Sequence, residues 1–569
     1  MWRQFLIAPS LRWVSILWTT ATGVALLVVA FGVALDLPRD ILRTQLARWT
    51  VYSLSFSFLA MIIFLLLCRT PLKTACAILP RRSYLALGGI MLAGLLLLAF
   101  VVPRVNRIYF DEFIYQNIAM NIHSMGRAFI GLEGCFEDGR YVPVETEYNK
   151  EPNGYPFFIA LLYRLFGMHE WVAYAANNVA YGIGILGVFG TGFLLFRSVA
   201  AGLWAAAFYT LTPMVLQWSN TAAIEPSAAA FASLAMAAGA LFVRTRMTSA
   251  LFLAVSVLAF GIQFRPESIL IAIPFAALVL TGAKDELAKP RFYGAMLVLL
   301  ILLLPHILHM YVVRGEEWGS TGSKFSFSVF WNNLRVNGPF YWKNGRYPIC
   351  FSLLALFGFA WRCPWRPMIP ILTWFLAFWG IFLFFYAGSY NYGADVRFSV
   401  LSAAPLALLA GCGAARIAGW KTPVLSFHWG RPALWVVLVL ALVPFILRLR
   451  IIGPEGQAAR ADIEATRWFI RQLPEHSIVL THTPCSWLVL GQAAADMGRS
   501  VYNKAHVDND LLPNYPGGVY LHWGFWCNKK NKEQYRLTEL IMEKYKFIPF
   551  VSTNATGNVY MLYKLIAPR

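Results

Sequence analysis

A succession of apolar runs, most of them long enough to cross about 30 Å of membrane hydrocarbon, dominates this sequence. Of its 569 residues, 58% are hydrophobic and only 13% are charged, too few charges for a soluble protein of this length. The sequence therefore predicts an all-α polytopic membrane protein with about thirteen transmembrane helices. The expected spans are Val14–Leu35, Val51–Leu67, Tyr84–Val102, Trp171–Phe196, Ala200–Gln217, Pro226–Val243, Ala250–Phe264, Ser268–Thr281, Phe292–Val313, Pro348–Ala360, Met368–Tyr386, Phe398–Ile417 and Ala433–Leu447.

The basic residues predict how these spans are oriented. The chain has 48 Lys and Arg against 28 Asp and Glu, and its basic residues cluster in loops that would share one side of the membrane. Because cytoplasmic loops are enriched in Lys and Arg, the N-terminus is expected inside and, after an odd number of spans, the C-terminus outside. The net charge of +20 thus indicates membrane lipids as partners, and no nucleic acid. The lack of an ER-retention tail and the single glycosylation sequon, at Asn554, favour a bacterial inner or archaeal plasma membrane.

Three regions follow from this pattern. Residues 1–82 are expected to form an N-terminal pair of transmembrane helices. Residues 83–450 would form the transmembrane core, with a long, acid-rich external loop at 103–170 that is a candidate for function. Residues 451–569 alternate helix-like and β-rich runs, which predicts a small external α/β domain.

The adjacent acids Asp111 and Glu112 open the external loop, just beyond the third expected span. The apolar residues that follow suit a helix lying along the membrane surface. A carboxylate at this depth could accept a proton from an attacking hydroxyl group. The alternative is structural, with Asp111 capping the helix and Glu112 occupying its first turn, where the helix dipole favours acids.

A second motif, Lys150-Glu151-Pro152 followed by Asn153, Gly154 and Tyr155, closes the same loop. The apolar run after it is too short to span the membrane and suits a second interfacial helix. Lys150 would then lie at the bilayer surface, where it could pair with a lipid phosphate. Alternatively, Lys150 pairs with Glu151 or Asp111 in a solvated loop.

This order of motifs resembles the membrane glycosyltransferases of the GT-C superfamily, in particular the protein O-mannosyltransferases and the lipid A aminoarabinose transferase. The resemblance covers roughly Tyr84 to Arg450 and implies a GT-C-like fold. It also implies that Asp111, as the first acid of the pair, is the catalytic residue. One departure is that the aminoarabinose enzyme has Glu and then Lys before the proline, whereas this chain has Lys150 and then Glu151.

Three further sites at external span ends fit the family pattern. The resemblance implies that Glu225 helps to hold the acceptor or Asp111, although Glu225 before a proline is also a stable helix start. Arg265 and Arg397 are candidates, with Lys150, for binding the donor phosphate, because an arginine at membrane depth needs a partner or a head group. The alternative partners are Glu267 for Arg265 and Asp395 for Arg397.

Aromatic residues and possible metal ligands give weaker indications of function. Glu151, Tyr155, Tyr390 and Tyr392 are candidates for substrate binding, but an interfacial aromatic belt also explains the tyrosines. No CxxC motif is present, and His306 and His309 lack a carboxylate partner in their span, so no metal site is predicted. Cys135, Cys485 and Cys527 would lie outside, where a disulfide could form.

The expected function is transfer of a sugar from a polyprenyl-phosphate-linked donor to a lipid, glycan or protein acceptor on the external face. Asp111 would act as general base and the anomeric carbon would be inverted, with no obligatory cofactor; a divalent metal is not indicated. No Walker A or dinucleotide fingerprint is found, in keeping with a lipid-linked donor. The alternatives are a polytopic transporter or flippase, and a ligase or polymerase of lipid-linked glycans. A transporter would place its ionisable residues near the midplane of a repeated architecture, which this sequence does not show.

Overall fold

The computed structural model describes residues 9–108, 110–316, 323–343, 347–360, 365–391, 396–419, 430–525, 527, 532–555 and 558–568. Most of the chain up to residue 450 is helical. The α-helices of this part are α1 (Pro9–Asp36), α2 (Arg39–Leu67), α3 (Arg69–Cys76), α4 (Arg81–Phe100), α5 (Asp111–Met125), α6 (Gly154–Phe166), α7 (Glu170–Phe196), α8 (Val199–Leu211), α9 (Pro213–Ser219), α10 (Glu225–Thr245), α11 (Thr248–Ile262), α12 (Ala272–Gly282), α13 (Pro290–Val312), α14 (Phe330–Asn337), α15 (Phe340–Lys343), α16 (Ile349–Ala360), α17 (Trp365–Phe384), α18 (Ala403–Ala418) and α19 (Gly430–Leu449).

Each expected span coincides with a helix or a pair of helices. Among the described residues, seven helices are long and apolar enough to cross a membrane, or eight if the bent pair α8–α9 is one span. That pair bends by 61° at Thr212-Pro213 because proline donates no hydrogen bond to the preceding turn. Several other expected spans, among them α11 and α16, are shorter helices of 10–17 residues. The protein is thus a multi-pass helical membrane protein, whereas the count of thirteen stays a prediction.

The loop at 103–170 contains two helices and a hairpin. Helix α5 begins at Asp111, α6 at Gly154, and between them strands β1 (Phe129–Glu137) and β2 (Arg140–Tyr148) pair antiparallel. The hairpin turns at Asp138-Gly139, both with positive φ (48° and 74°), as a type I′ turn requires. This loop is therefore a folded part of the protein that holds Asp111 and Lys150 near its two ends.

The segment after residue 450 contains helices and strands. They are α20 (Pro454–Ile470), β3 (Ser477–Thr481), α21 (Pro484–Val489), β4 (Ala494–Asp496), α22 (Met497–Tyr502), α23 (Lys504–His506), α24 (Leu512–Asn514), β5 (Gly518–Trp523), α25 (Lys532–Lys544), β6 (Tyr545–Ala555) and β7 (Asn558–Pro568). The β-rich runs expected in residues 451–569 coincide with strands of this segment.

All seven strands form one sheet in the order β2-β1-β4-β3-β5-β7-β6. β3 is parallel to β4 and β5, and β1 joins β4 antiparallel through Glu133–Ala495 and Gly134–Ala494. The hairpin of the 103–170 loop thus continues the sheet of the C-terminal segment. Because one sheet cannot extend to both sides of a bilayer, these two segments lie on the same side of the membrane. The chain must therefore cross the membrane an even number of times between them.

His506 reinforces this connection. Its Nε2 lies 2.7 Å from Glu133 Oε2 of β1, and its Nδ1 lies 2.7 Å from Asp510 Oδ2. Burial lowers the pKa of His506, but the hydrogen bonds to Asp510 and Glu133 outweigh it and raise the pKa above the ordinary 6.5. Burial also raises the pKa of Glu133, which is 5% exposed. Both groups therefore keep their protons to a higher pH in the folded protein than in the unfolded chain.

We predict that alkaline pH weakens the connection between β1 and the C-terminal segment. Because the pKa of His506 is raised in the folded protein, its protonated form contributes fully to stability below pH 6.5. This contribution is lost as the pH rises through the pKa that His506 has in the folded protein. The melting temperature of the wild type should fall over that window, and His506→Gln should flatten the profile. His169→Gln, at an exposed histidine without an ion pair in the described structure, is the control. An unchanged profile in His506→Gln would refute the assignment.

Candidate active site

Two arginines and three carboxylates meet where α5, α10 and the end of α11 come together. Arg397 Nη1 lies 3.3 Å from Asp111 Oδ2, and its Nε lies 3.6 Å from Glu225 Oε1. Arg265 Nη1 contacts Glu225 Oε1, and Arg265 Nε donates to Glu267 Oε1 at 2.7 Å. Glu225 is fully buried between the two guanidinium groups, whereas the Asp111 side chain is 43% exposed. Among these acids, Asp111 is the one most open to a substrate.

Glu112, next to Asp111, points the other way and binds backbone. The N–H groups of Arg107 and Ile108 donate to its Oε1 at 2.6 and 2.9 Å, and the N–H of Ala222 donates to its Oε2 at 2.7 Å. Its side chain is fully buried. Glu112 thus joins the segment before α5 to the segment before α10, which fixes the first turn of α5 where Asp111 lies.

The Lys150-Glu151 turn is held from two sides. Asn149 Oδ1 accepts from the N–H of Glu151 at 2.9 Å, and Asn149 Nδ2 donates to Asn153 Oδ1 at 2.6 Å. His309 of α13 contacts the Tyr148 hydroxyl through Nδ1 at 2.6 Å and the Glu151 carbonyl through Nε2 at 3.1 Å. His309 is therefore an anchor for this turn.

Gly154 brings the turn against the segment that carries Arg265. Its N–H donates to the Gln263 carbonyl at 2.9 Å, and a Cβ at this position would lie 2.6 Å from that oxygen. Only glycine permits this approach without a shift of backbone. The two motifs that the sequence separates by more than a hundred residues are thus in direct contact.

Arg397 begins a 3-10 helix, Arg397–Ser402, that leads into α18. Val396 before it has φ +56°, a conformation that costs a β-branched residue on the order of 1–3 kcal/mol. The guanidinium groups of Arg397 and Arg265 lie 4.9 and 5.4 Å from the centroid of the Phe398 ring. Cation–π contacts at these distances orient both arginines toward the same space.

These groups line a cavity of about 610 Å³. Its lining includes eight charged residues: Asp111, Lys150, Glu151, Arg265, Glu267, Arg314, Lys324 and Arg397. Its remaining lining is mostly aliphatic and aromatic: Tyr115, Ile224, Pro266, Ile269, Leu270, Met310, Val313, Phe325, Ile381, Phe382, Phe385, Tyr386, Ala387 and Phe398. The cavity is therefore amphipathic, which suits a ligand with a charged head and an apolar tail.

Glu151 can change its charge within this cavity. Burial and the nearby Asp111 carboxylate raise the pKa of Glu151 to about 7, against the opposing effect of Arg265 and Lys150. Near neutral pH this carboxyl group is therefore divided between its protonated and ionised forms. In the protonated form it can donate a hydrogen bond to an anionic oxygen.

The structure brings together most, but not all, of the predicted site residues. Asp111, Lys150, Glu151, Arg265 and Arg397 line the cavity, and Glu225 lies directly behind the two arginines.

Glu112, Tyr155 and Tyr390 are buried and do not line this cavity. The Tyr155 hydroxyl donates to the Ala173 carbonyl at 3.3 Å, and the Tyr390 hydroxyl lies 3.3 Å from that of Tyr341. Tyr392 lies outside the described residues.

The structural alternatives raised by the sequence hold for some of these residues. Arg265 does pair with Glu267, as its spacing allowed, but it also pairs with Glu225 and lines the cavity. Asp395, the alternative partner of Arg397, lies outside the described residues; the partners observed are Asp111 and Glu225. Asp111 and Glu112 do occupy the first turn of α5, but neither side chain caps the helix.

Arg314 and Lys324 were not predicted from the sequence. Both lie between the expected spans Phe292–Val313 and Pro348–Ala360, and their positive charge was the available signal.

No metal cluster and no disulfide is found among the described residues. No group of three or more His, Cys, Asp or Glu side chains there could hold a metal ion. Cys135, Cys485 and Cys527 are all free in the described structure, and Cys485 Sγ lies 3.7 Å from the Gly131 carbonyl.

Residues 150–309 match the family of dolichyl-phosphate-mannose-protein mannosyltransferases. The matched segment contains Lys150, Glu225 and Arg265, whereas Asp111 and Arg397 lie outside it. No curated protein matches the sequence.

Several solved structures are similar over most of the chain, among them those of two different proteins. ArnT from Cupriavidus metallidurans, bound to undecaprenyl phosphate, is 15% identical, with a TM-score of 0.52 over 85% of this chain and 98% of ArnT. The oligosaccharyltransferase AglB from Archaeoglobus fulgidus, in complex with an inhibitory peptide and a dolichol-phosphate, is 13% identical, with a TM-score of 0.51 over 84% of this chain and 74% of AglB. The chain shares the fold of ArnT and AglB. The resemblance inferred from the motifs is thereby confirmed.

We predict that Glu112→Gln destabilises the protein. A Gln amide group presents an NH₂ in place of one carboxylate oxygen, so at least one buried backbone N–H loses its acceptor, at a cost of about 1–3 kcal/mol. The melting temperature in detergent should fall. Glu137→Gln, the same substitution at the exposed hairpin turn, should leave it unchanged. Equal melting temperatures for the two variants would contradict the bracing role of Glu112.

Proposed function

We propose that this protein transfers a sugar from a polyprenyl-phosphate-linked donor to a hydroxyl-type acceptor, which is a lipid, a glycan or a protein, on the external face of the membrane. The observation that carries the proposal is the amphipathic cavity, in which the exposed carboxylate of Asp111 faces a group of arginines and lysines beside an apolar wall. A polyprenyl-phosphate sugar has the same division into a long apolar tail and an anionic head.

The proposed reaction is a single displacement. The acceptor oxygen attacks the anomeric carbon and a new C–O bond forms, while the bond between that carbon and the phosphate oxygen breaks. Its electron pair stays on the departing polyprenyl phosphate. Asp111 accepts the proton of the acceptor hydroxyl as general base, and attack from the face opposite the phosphate inverts the anomeric carbon.

The positive side chains support departure of the phosphate. As the bond breaks, negative charge grows on the phosphate oxygens, and fixed cations nearby lower the barrier. Arg397 and Arg265 are held in place by Glu225 and by the Phe398 ring, so they need little reorganisation. Lys150, Arg314 and Lys324 line the same cavity and are proposed to contribute to phosphate binding. This electrostatic role requires no nucleotide or metal.

The apolar wall supports a lipid-linked donor. Phe382, Phe385 and Ile381 come from the end of α17 and the segment after it, and Leu270 and Ile269 come from the 3-10 helix Pro266–Ile271. These side chains lie at the ends of membrane helices, where an isoprenoid chain leaves the bilayer. ArnT and AglB, which share the fold, were solved with undecaprenyl phosphate and dolichol-phosphate bound, respectively.

We predict that Asp111→Asn abolishes sugar transfer while the protein stays folded. An amide cannot take up the acceptor proton, so the rate should fall by roughly 10²–10⁴-fold. Purified protein would be incubated with a panel of polyprenyl-phosphate sugars and a membrane extract as acceptor, and free polyprenyl phosphate would be measured. Asp138→Asn is the matched control, because this exposed turn residue has φ +48° and asparagine tolerates that conformation.

The outcomes separate the proposal from its alternatives. Release by wild type and by Asp138→Asn, but not by Asp111→Asn, supports a transferase with Asp111 as base. Retained turnover in Asp111→Asn overturns that role. Release from pyrophosphate-linked oligosaccharides alone would instead indicate a ligase or polymerase, and transport of a donor without release would indicate a flippase.

We further predict that Arg397→Gln lowers the rate on the order of a hundredfold, because it removes a fixed positive charge beside Asp111 and the phosphate. Arg397→Lys should recover part of this loss, since it keeps the charge but not the fork of N–H donors. Single-turnover release of polyprenyl phosphate measures the effect. Equal rates for the Gln variant and the wild type would exclude Arg397 from the reaction.

A further inference from the structure

A second cavity, of about 670 Å³, lies where α4 and α19 end, on the same side of the membrane as Asp111. It is lined by the last residues of α4, by Asn220 at the end of α9, by Ile452, and by the arginines Arg104, Arg450 and Arg460. It shares no lining residue with the cavity that contains Asp111. Its contents are therefore separate from the proposed donor site.

The cavity has an excess of positive charge. Arg460 Nε donates to Glu464 at 2.7 Å, and the Arg104 guanidinium lies 5.8 Å from the centroid of the Tyr174 ring. No carboxylate of the described residues lies within ion-pair distance of Arg450. Of the three guanidinium groups, only that of Arg460 forms an ion pair with a carboxylate among the described residues. Basic residues are generally depleted on the outer side of a membrane, so a cluster of three arginines there is unusual. An anionic ligand would explain it.

Asn220 provides an independent indication of a ligand. Its Nδ2 donates to the carbonyls of Leu98 at 3.2 Å and Val102 at 2.8 Å, and the residue is 2% exposed. Its Oδ1 is buried and has no hydrogen-bond partner in the described structure. A buried carbonyl oxygen without a donor is unfavourable, so a ligand that supplies a hydroxyl group would satisfy it.

The surroundings indicate that this ligand is a lipid. Phe100 at the end of α4 is 77% exposed, and Leu447 near the end of α19 is 75% exposed. Helix ends with such exposed apolar residues face the acyl chains of the bilayer. A molecule in this cavity would thus have its polar group among the arginines and its chains along α4 and α19.

We infer that this cavity binds the head group of an anionic phospholipid, with the phosphate held by Arg104, Arg450 and Arg460 and a head-group hydroxyl donating to Asn220 Oδ1. A phosphatidylglycerol has both groups. The bound lipid lies next to the segment 103–108, whose amides at Arg107 and Ile108 hold Glu112. This inference does not depend on the proposed transferase function.

The test is lipid retention by the full chain. Protein reconstituted with a mixture of phosphatidylglycerol and phosphatidylcholine is extracted in detergent, and bound lipids are counted by native mass spectrometry and titrated back. Wild type should retain phosphatidylglycerol in preference to phosphatidylcholine. The triple change Arg104→Gln, Arg450→Gln and Arg460→Gln should weaken this binding on the order of tenfold to a hundredfold, given the attraction of each arginine to an anionic lipid.

A second triple variant controls for charge. Arg140→Gln, Arg471→Gln and Arg536→Gln remove the same charge from exposed positions outside the cavity, and should retain phosphatidylglycerol as the wild type does. Melting temperatures establish that both triple variants are folded, and the single change Arg450→Glu replaces the first triple variant if it is not. Equal retention by the two variants, no preference over phosphatidylcholine, or displacement of the lipid by inorganic phosphate at constant ionic strength would each overturn the inference.

Discussion

The position of Asp111 depends on a carboxylate that faces away from the cavity. Glu112 binds the backbone of two segments more than a hundred residues apart, at Arg107–Ile108 and at Ala222. Its three acceptor contacts satisfy amides that would otherwise lie unpaired in a buried place. Since the first turn of α5 follows from this attachment, Glu112 positions the backbone of Asp111, and Arg397 contacts the Asp111 side chain. The acidic pair therefore combines two tasks, of which one is structural and the other is proposed to be chemical.

The charged groups around the cavity compensate one another. Glu225 is fully buried, which is tolerable only because Arg265 and Arg397 approach the same oxygen. The arginines in turn contact Phe398 and the carboxylates, and the second oxygen of Glu225 has no partner in the described structure. The site is thus assembled before any ligand arrives. The proposed binding of an anionic head group would therefore cost these arginine side chains little conformational entropy, in keeping with preorganised electrostatic stabilisation.

Local patterns predicted much of this architecture, and long-range contacts explain the rest. The apolar runs coincide with helices, and charged residues at span ends predicted Asp111, Lys150, Arg265 and Arg397 in one place. The β1–β2 hairpin was missed, although Asp138-Gly139 is a strong turn signal. The joining of β1 to β4 could not be predicted, because strand pairing across 360 residues leaves no periodicity in either segment. The role of His309 also depends on a long-range contact. His309 was considered from the sequence as a metal ligand, whereas the structure shows that it anchors the Lys150 turn.

The shared sheet has a consequence for how the protein is made. Strand β1 emerges from the ribosome before helices α7–α19, and its partner β4 emerges after them. The loop that carries Asp111 therefore completes its sheet only after the membrane helices between the two strands have been inserted. Such a distant closure is slow, and premature termination would leave the β1 edge unpaired. The order of synthesis thus makes completion of this sheet a late event, which depends on the helices between the two strands.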